Sequence, residues 1–258
     1  MIKPFFSIVT CTRNSSKYIE KNIFSIKTQT FKNWEQIFVD GFSTDTTQKK
    51  IGHYKNSFRS KVRFYQTKPL GISNAMNIGI KKSRGKYILI LHADDSLFGN
   101  DVLKRVFSFL NKNKSLDWIY GKINVVEEDG KCIGQYPSKK IYKLFPKYLY
   151  KFYNLIPHQA VFMKRMIFDK FGFFDENLKS SMDIDLWLRI LNRTKWKFLD
   201  ETIADYTIRK GAQSSGMARK SENDLFLLKT VKKHLNFVEY MFFMLVMKVV
   251  DRYNKTRR

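Results

Sequence analysis

Three pairs of carboxylates in this 258-residue chain stand where a carboxylate can do chemistry. Asp94 and Asp95 close the apolar run Tyr87-Ile88-Leu89-Ile90-Leu91, with His92 just before them. Adjacent like charges at a strand end repel one another and gain from a bound cation. Mg²⁺ or Mn²⁺ takes one or two carboxylates together with phosphate oxygens. The plainer alternative is a charge pair favoured by the dipole of the helix starting near Asn100, several residues away. His92 could add an imidazole ligand, although a solitary histidine at a strand end more often fills a polar gap. Asp40 and Asp45, in VDGFSTD, could accept hydrogen bonds from a nucleobase edge while Gly41 lets the backbone approach. The same residues could equally form a turn in which Asp45 caps the next helix. Asp183 and Asp185, in SSMDIDLWLRI, open a helix, where carboxylates are electrostatically comfortable. Either could also serve as a general base for a hydroxyl. Two positions apart on a helix they point in different directions, so one of them faces any site.

The elements that must position these groups are legible in the first half. Phe5 to Cys11 reads as a strand, and Asn14-Ser15-Ser16 offers caps for a helix to about Thr28. Trp34 to Val39 is the next strand, followed by a polar loop and a helix to about Tyr54. Val62 to Tyr65 is a strand, Ile72 to Lys82 a helix and Tyr87 to Leu91 a strand. This alternation predicts a parallel, doubly wound sheet. Ligands of such sheets bind beyond the carboxyl ends of the strands, where Thr10, Asp40, Asp94 and Asp95 all fall. The second half is less regular. Asn100 to Asn111 reads as a helix, Trp118 to Val126 with Lys131 to Tyr136 as a hairpin, and Met163 to Phe171 and Asp183 to Arg193 as helices. From Ser221 onward a helical tail is expected.

Composition bounds the partners. The formal net charge of +25 attracts polyanions: nucleic acid, an anionic bilayer or phosphate-bearing substrates. Cys11 and Cys132 lack metal-ligand spacing and read as small buried hydrophobes in a reducing compartment. Met1-Ile2-Lys3-Pro4 leads directly into a strand, so no signal peptide is expected. The apolar stretch Tyr240 to Met247 is far short of the roughly 20 residues that span a bilayer. Lys139 to Tyr153 alternates basic and aromatic residues, and the tail from His234 to Arg258 mixes apolar and basic ones. Both suit an anchor at an anionic membrane surface; packing or an oligomer contact is the alternative for the tail.

Taken in order, FSIVTCTRNSSKYIEKNIFSIKTQTFKNWEQIFVDGFSTDTT, KPLGISNAMNIGIKKSRGKYILILHADD and IPHQAVFMKRMIFDKFGFFDENLKSSMDIDLWLRI resemble the inverting, nucleotide-sugar-dependent glycosyltransferases of family 2. The likeness is greatest to bacterial enzymes that build capsule, O-antigen or exopolysaccharide, and it covers roughly residues 5 to 215. It implies a GT-A fold: a Rossmann-like α/β domain with a mixed, mostly parallel sheet flanked by helices, plus a helical C-terminal tail. Residues 1–98 would hold the nucleotide sugar, 99–215 the acceptor and the base, and 216–258 would form the tail. Thr10, Arg13, Asp40, Gly41, Asp45, Gly71, Asn74, Asn77 and Asp95 would serve the donor. Asp94 would hold Mg²⁺ or Mn²⁺, Asp183 would be the base, and His158, Trp187 and Arg209 would border the sugar, acceptor or diphosphate.

His92 replaces the first aspartate of the family's D-x-D motif, Met182 the glutamate before the base, and Leu70 a position often acidic in relatives. Arg209 stands near a late histidine of many relatives and could neutralise a leaving diphosphate directly. The implied acceptor is a lipid-linked or growing surface glycan, and the implied location is peripheral, on the cytoplasmic face of the inner membrane. A homo-oligomer is compatible with the sequence. Two alternatives are a catalytically weak relative acting as a partner subunit and a nucleic-acid-binding protein. The second lacks any helix-turn-helix, zinc-finger or RNP signature, so no nucleic-acid partner is expected.

Overall fold

A computed structural model describes residues 3–137, 150, 155–209 and 227–255 of the chain. Its first half follows the alternation of the sequence: β1 Phe6–Thr12, α1 Ile19–Lys27, β2 Trp34–Asp40, α2 Thr47–Ser57, β3 Val62–Gln66, α3 Ile72–Lys82 and β4 Tyr87–Ile90. These strands pair in parallel in the order β3-β2-β1-β4. Every residue of β1, β2 and β4 is buried, as expected of strands covered on both faces. Alternate residues serve two apolar layers. Phe6, Ile8 and Phe38 enter one core cluster, while Val9, Cys11, Ile37 and Val39 enter the other.

Beyond β4 the sheet becomes mixed. The next elements are β5 Ser96–Leu97, α4 Val102–Lys112, β6 Trp118–Val126, β7 Cys132–Tyr136, β8 Val161–Lys164, α5 Arg165–Phe171, α6 Met182–Ile190 and β9 Trp196–Thr207. The order continues β4-β8-β6-β9-β5, with β7 on β6; β6 and β9 are parallel and the other new pairs antiparallel. The result is a mixed α/β fold whose sheet is flanked by helices.

Two expectations need correction, and one strand was missed. Met163 and Lys164 end strand β8 rather than begin a helix, because Val161 to Met163 are buried between β4 and β6. Strand β9 was not legible: its charged residues Lys197, Asp200, Glu201 and Asp205 mask the buried Trp196, Phe198, Ile203 and Ala204. Cys11 is buried as expected, but Cys132 is exposed on β7. The basic and aromatic stretch Lys139 to Tyr153 lies, except for Tyr150, outside the described residues.

Gly79 lets α3 close onto the sheet. A Cβ there would lie 2.2 Å from Cγ1 of Val9 on β1, so only glycine permits this approach. At the far end of the chain, a helical segment over 227–234 and the C-terminal helix Phe237–Lys255 pack through Val231 and Phe243 against Leu188 of α6. Among the described residues, no helix is long and apolar enough to cross a membrane.

Candidate active site

The carboxyl ends of β1, β2 and β4 open into a cavity of about 580 Å³. Its floor is the turn His92-Ala93-Asp94-Asp95, closed by a hydrogen bond from Asp95 N to His92 O. A buried chain of amides holds this turn in place. Nδ2 of Asn22, on α1, donates to the carbonyls of His92 (2.8 Å) and Asp95 (3.0 Å). Nε2 of Gln36, on β2, donates to Oδ1 of Asn22 and to Oγ1 of Thr10. Thr10 therefore supports the floor from within the core and does not line the cavity.

The members of the turn are held differently. Asp95 is buried, and its Oδ1 accepts a hydrogen bond from Thr207 N at 3.3 Å. Burial and the neighbouring Asp94 push its carboxyl well above the usual carboxylate range. Asp94 faces the cavity, where its Oδ2 accepts a hydrogen bond from Nε of Arg209 at 2.6 Å. The Arg209 guanidinium also lies over the Tyr18 ring, 5.5 Å from its centroid. Burial, reinforced by His158, pushes His92 down to about 4, so its imidazole is neutral near pH 7. Among the described residues, its Nδ1 is buried without a hydrogen-bond partner.

The opposite wall belongs to the second half. Ser181 adopts a left-handed conformation (φ 62°) and turns the chain into α6, whose first turn carries Met182 and Asp183. Asp183 lines the cavity, with Oδ2 3.6 Å from Nδ1 of His158. The His158 ring in turn meets His92 edge-on at 5.1 Å. Asp185 points the other way. It is buried, and its carboxylate binds Arg189 at 2.9 Å and Nε2 of His234 at 2.7 Å.

The cavity thus gathers Arg13, Gly41, Gly71, Asp94, Asp95, His158, Asp183 and Arg209 from the expected set. Gly71 enters α3 at φ +112°, a conformation that favours glycine. The other expected residues lie outside the lining. Asp40 is fully buried, accepting hydrogen bonds from Thr12 Oγ1 (2.7 Å) and from Ser43 N and Oγ. Asp45 accepts hydrogen bonds from Ser16 N and Thr47 N. Desolvation opposes its ionisation, but those bonds hold its carboxyl below the usual range. Asn74 and Asn77 both donate to Glu176, and Asn77 also exchanges hydrogen bonds with the backbone of Phe174. Trp187 is buried and stacks on Trp118 at 5.6 Å. Sequence reasoning missed Thr12, Thr67, Lys68, Gln159, Lys179, Ser180 and Tyr206 among the lining residues. Of these, Thr12 directly follows a recognised strand, and Lys68, Gln159, Lys179 and Ser180 lie within the stretches that carry the family resemblance; Thr67 and Tyr206 carried no signal.

Residues 7–172 match the family described as Glycosyl transferase family 2, so the chain belongs to that family and is a glycosyltransferase. An uncharacterized glycosyltransferase of Methanocaldococcus jannaschii is 29% identical over 91% of this chain and 80% of its own length. A PGL/p-HBAD biosynthesis glycosyltransferase of Mycobacterium bovis is 27% identical over 80% of this chain and 78% of its own. Among solved structures, S. aureus TarS 1-349 in complex with UDP-GlcNAc superposes with a TM-score of 0.68 at 21% identity, over 90% of this chain and 73% of that one. Mannosyltransferase PcManGT from Pyrobaculum calidifontis, in complex with GDP-Man and Mn²⁺, gives 0.69 at 14%, over 92% and 66%. At such identities the structural likeness establishes the shared GT-A fold.

Proposed function

We propose that the protein transfers a sugar from a nucleotide sugar, UDP-linked by preference, to a hydroxyl of a lipid-linked or growing surface glycan, with inversion at the anomeric carbon. The observation that carries this reading is the placement of Asp183 and of the Asp94–Arg209 pair in the walls of one cavity. In a single in-line displacement, Asp183 accepts the proton of the acceptor hydroxyl as its oxygen bonds to the anomeric carbon. The bond from that carbon to the diphosphate oxygen breaks, and its electron pair leaves with the diphosphate. Arg209, fixed by Asp94 and Tyr18, faces the charge that develops there. Arg13 and Lys68 add positive charge to the same cavity, while Gly41 and Gly71 let donor groups approach the backbone.

The donor set fits a divalent cation. Asp94 offers a carboxylate, and neutral His92 stands two residues before it in the same turn. Mg²⁺ or Mn²⁺ takes one or two carboxylates together with phosphate oxygens, so Asp94 and a bound diphosphate would suffice to hold it. Bound there, the ion would neutralise diphosphate charge. On this reading residues 1–98 serve the donor, 99–215 the acceptor and 216–258 the tail, and the enzyme works at the cytoplasmic face of the inner membrane. UDP-GlcNAc and GDP-Man in the complexes of TarS and PcManGT support a nucleotide-sugar donor.

The test is release of nucleoside diphosphate from a panel of nucleotide sugars, with product anomers assigned by NMR. Metal-stimulated turnover of one donor with inversion is expected. A chain that hydrolyses none of them, with or without acceptor, would favour the partner-subunit alternative that His92 and Met182 raise.

A further inference from the structure

The C-terminal helix Phe237–Lys255 leaves a stripe of large apolar side chains in water. Phe237, Val238, Met241 and Leu245 are 79%, 75%, 53% and 58% exposed. Positions 237, 241 and 245 recur every four residues, with 238 beside them, so they share one helix face. Another face is already used: Phe243 is buried, with Tyr240, Met244 and Met247 packed around it. One side of the helix therefore fixes it to the protein while the other faces outward. Single exposed apolar residues are ordinary; a contiguous stripe marks a contact surface.

The charge around the stripe selects its partner. Lys229 and Lys232 on the preceding helical segment and Lys248 on the helix itself are exposed, Lys233 is paired with Asp175 and Asp185, and the chain as a whole carries +25. Glu239 is the acidic residue of the helix's first turn, and its carboxylate accepts a hydrogen bond from Asn236 N. A second copy of the chain would bring the same positive field, which opposes self-association through this face and favours an anionic partner. We infer that this face docks on the surface of an anionic bilayer, the stripe entering the boundary of headgroups and acyl chains while the lysines meet lipid phosphates. The helix lies on the membrane and does not span it.

The docked helix is tied to the catalytic wall. His234, three residues before it, bonds Asp185 at 2.7 Å, and Asp185 lies on α6 two residues from Asp183. The cavity is thereby held near the plane from which a lipid-linked acceptor presents its glycan. The purpose of the surface rests on the acceptor proposed above, but its existence does not, and the two are tested separately.

The experiment sediments the full chain with vesicles of phosphatidylglycerol and phosphatidylcholine, and with phosphatidylcholine alone. It compares wild type with F237S/M241S/L245S and with F237D, whose solvent-facing positions leave the fold intact, as circular dichroism would verify. Wild type should bind the anionic vesicles about tenfold or more better than neutral ones, and the triple variant should lose about tenfold or more of that binding. F237D should fall in between, and donor hydrolysis in solution should be unchanged in both variants. Wild type remaining in the supernatant with anionic vesicles overturns the inference, as do variants that bind like wild type. So does a wild-type dimer, detected by light scattering, that the triple variant dissolves. Membrane binding by a chain that hydrolyses no nucleotide sugar would sink the proposed activity and leave the docking surface standing.

Discussion

Arg209 donates from Nε to Oδ2 of Asp94 across 2.6 Å, joining the chain just beyond β9 to the turn after β4 over 115 residues of sequence. The contact brings the cation expected to meet a diphosphate against the carboxylate expected to hold a metal. A guanidinium placed here can neutralise leaving-group charge whether or not an ion shares the task. Arg209→Ala should therefore lower turnover on the order of 100-fold. Arg209→Lys should recover only part of it, since an ammonium lacks the planar fork that spans Asp94 and the Tyr18 ring. Initial rates of nucleotide release measure both. Wild-type turnover in Arg209→Ala would remove this side chain from the leaving-group side.

Asp94 should respond to metal removal. A chelator should slow the wild type, whereas Asp94→Asn should be slow from the start and insensitive to the chelator. Equal chelator sensitivity in both proteins would place the ion on other residues.

The two aspartates of α6 should separate cleanly. Asp183 lines the cavity beside His158, and Asp185 is buried against Arg189 and His234. Asp183→Asn should reduce turnover by a factor on the order of 100 to 10,000 with little loss of stability. Asp185→Asn should chiefly destabilise the fold, because it removes the buried carboxylate that Arg189 and His234 share. Rates and denaturation midpoints taken together decide the assignment; exchanged outcomes would make Asp185 the base.

What the sequence disclosed divides at β4. Up to Leu91 short strands rich in β-branched and aromatic residues alternate with helical segments of about ten residues, and local pattern and tertiary burial agree. The order of motifs also announced Asp94 and Asp183, which the fold brings into one cavity from positions 89 residues apart in the chain. Beyond β4 the sheet is mixed, and β7 and β9 carry exposed and half-buried residues. In β9 charged residues interrupt the burial pattern, so the strand reads as a loop. The supports of the site were equally hidden. Asn22 and Gln36 hold the His92–Asp95 turn through contacts that cross up to 73 residues, and no local motif marks a buried amide. Asn74 and Asn77 matched their motif in sequence, yet their side chains clamp Glu176, since a helix position fixes a direction that only the neighbouring loop can occupy.

Gly79 offers a test of packing between α3 and the sheet. A Cβ at 2.2 Å from Val9 Cγ1 cannot be accommodated unless the Val9 side chain, the helix or the strand shifts. Gly79→Ala should cost about 1–3 kcal/mol, the usual penalty of overpacking, and Gly79→Ala/Val9→Ala should cost less than the sum of its single changes. Urea denaturation of the four proteins measures the coupling. Additive changes would mean that the two residues do not touch.

The pH dependence of stability should carry the signature of Asp185. Desolvation alone would raise its carboxyl, but the hydrogen bond from His234 and the charges of Arg189 and Lys233 outweigh that and hold it below its ordinary 3.8. The unfolded carboxyl therefore takes up its proton at higher pH than the folded one, and acid favours the unfolded chain. The stabilisation is fully present above about pH 4 and is lost as the pH falls through the folded value. Asp185→Asn should lower stability at pH 7 by about 1–3 kcal/mol, the usual cost of leaving part-buried charged partners unsatisfied, and should flatten the decline below pH 4. Unfolding free energies measured from pH 2 to 7 check the sign. If wild type and variant lose stability in parallel below pH 4, the carboxylate is not held by these cations in solution.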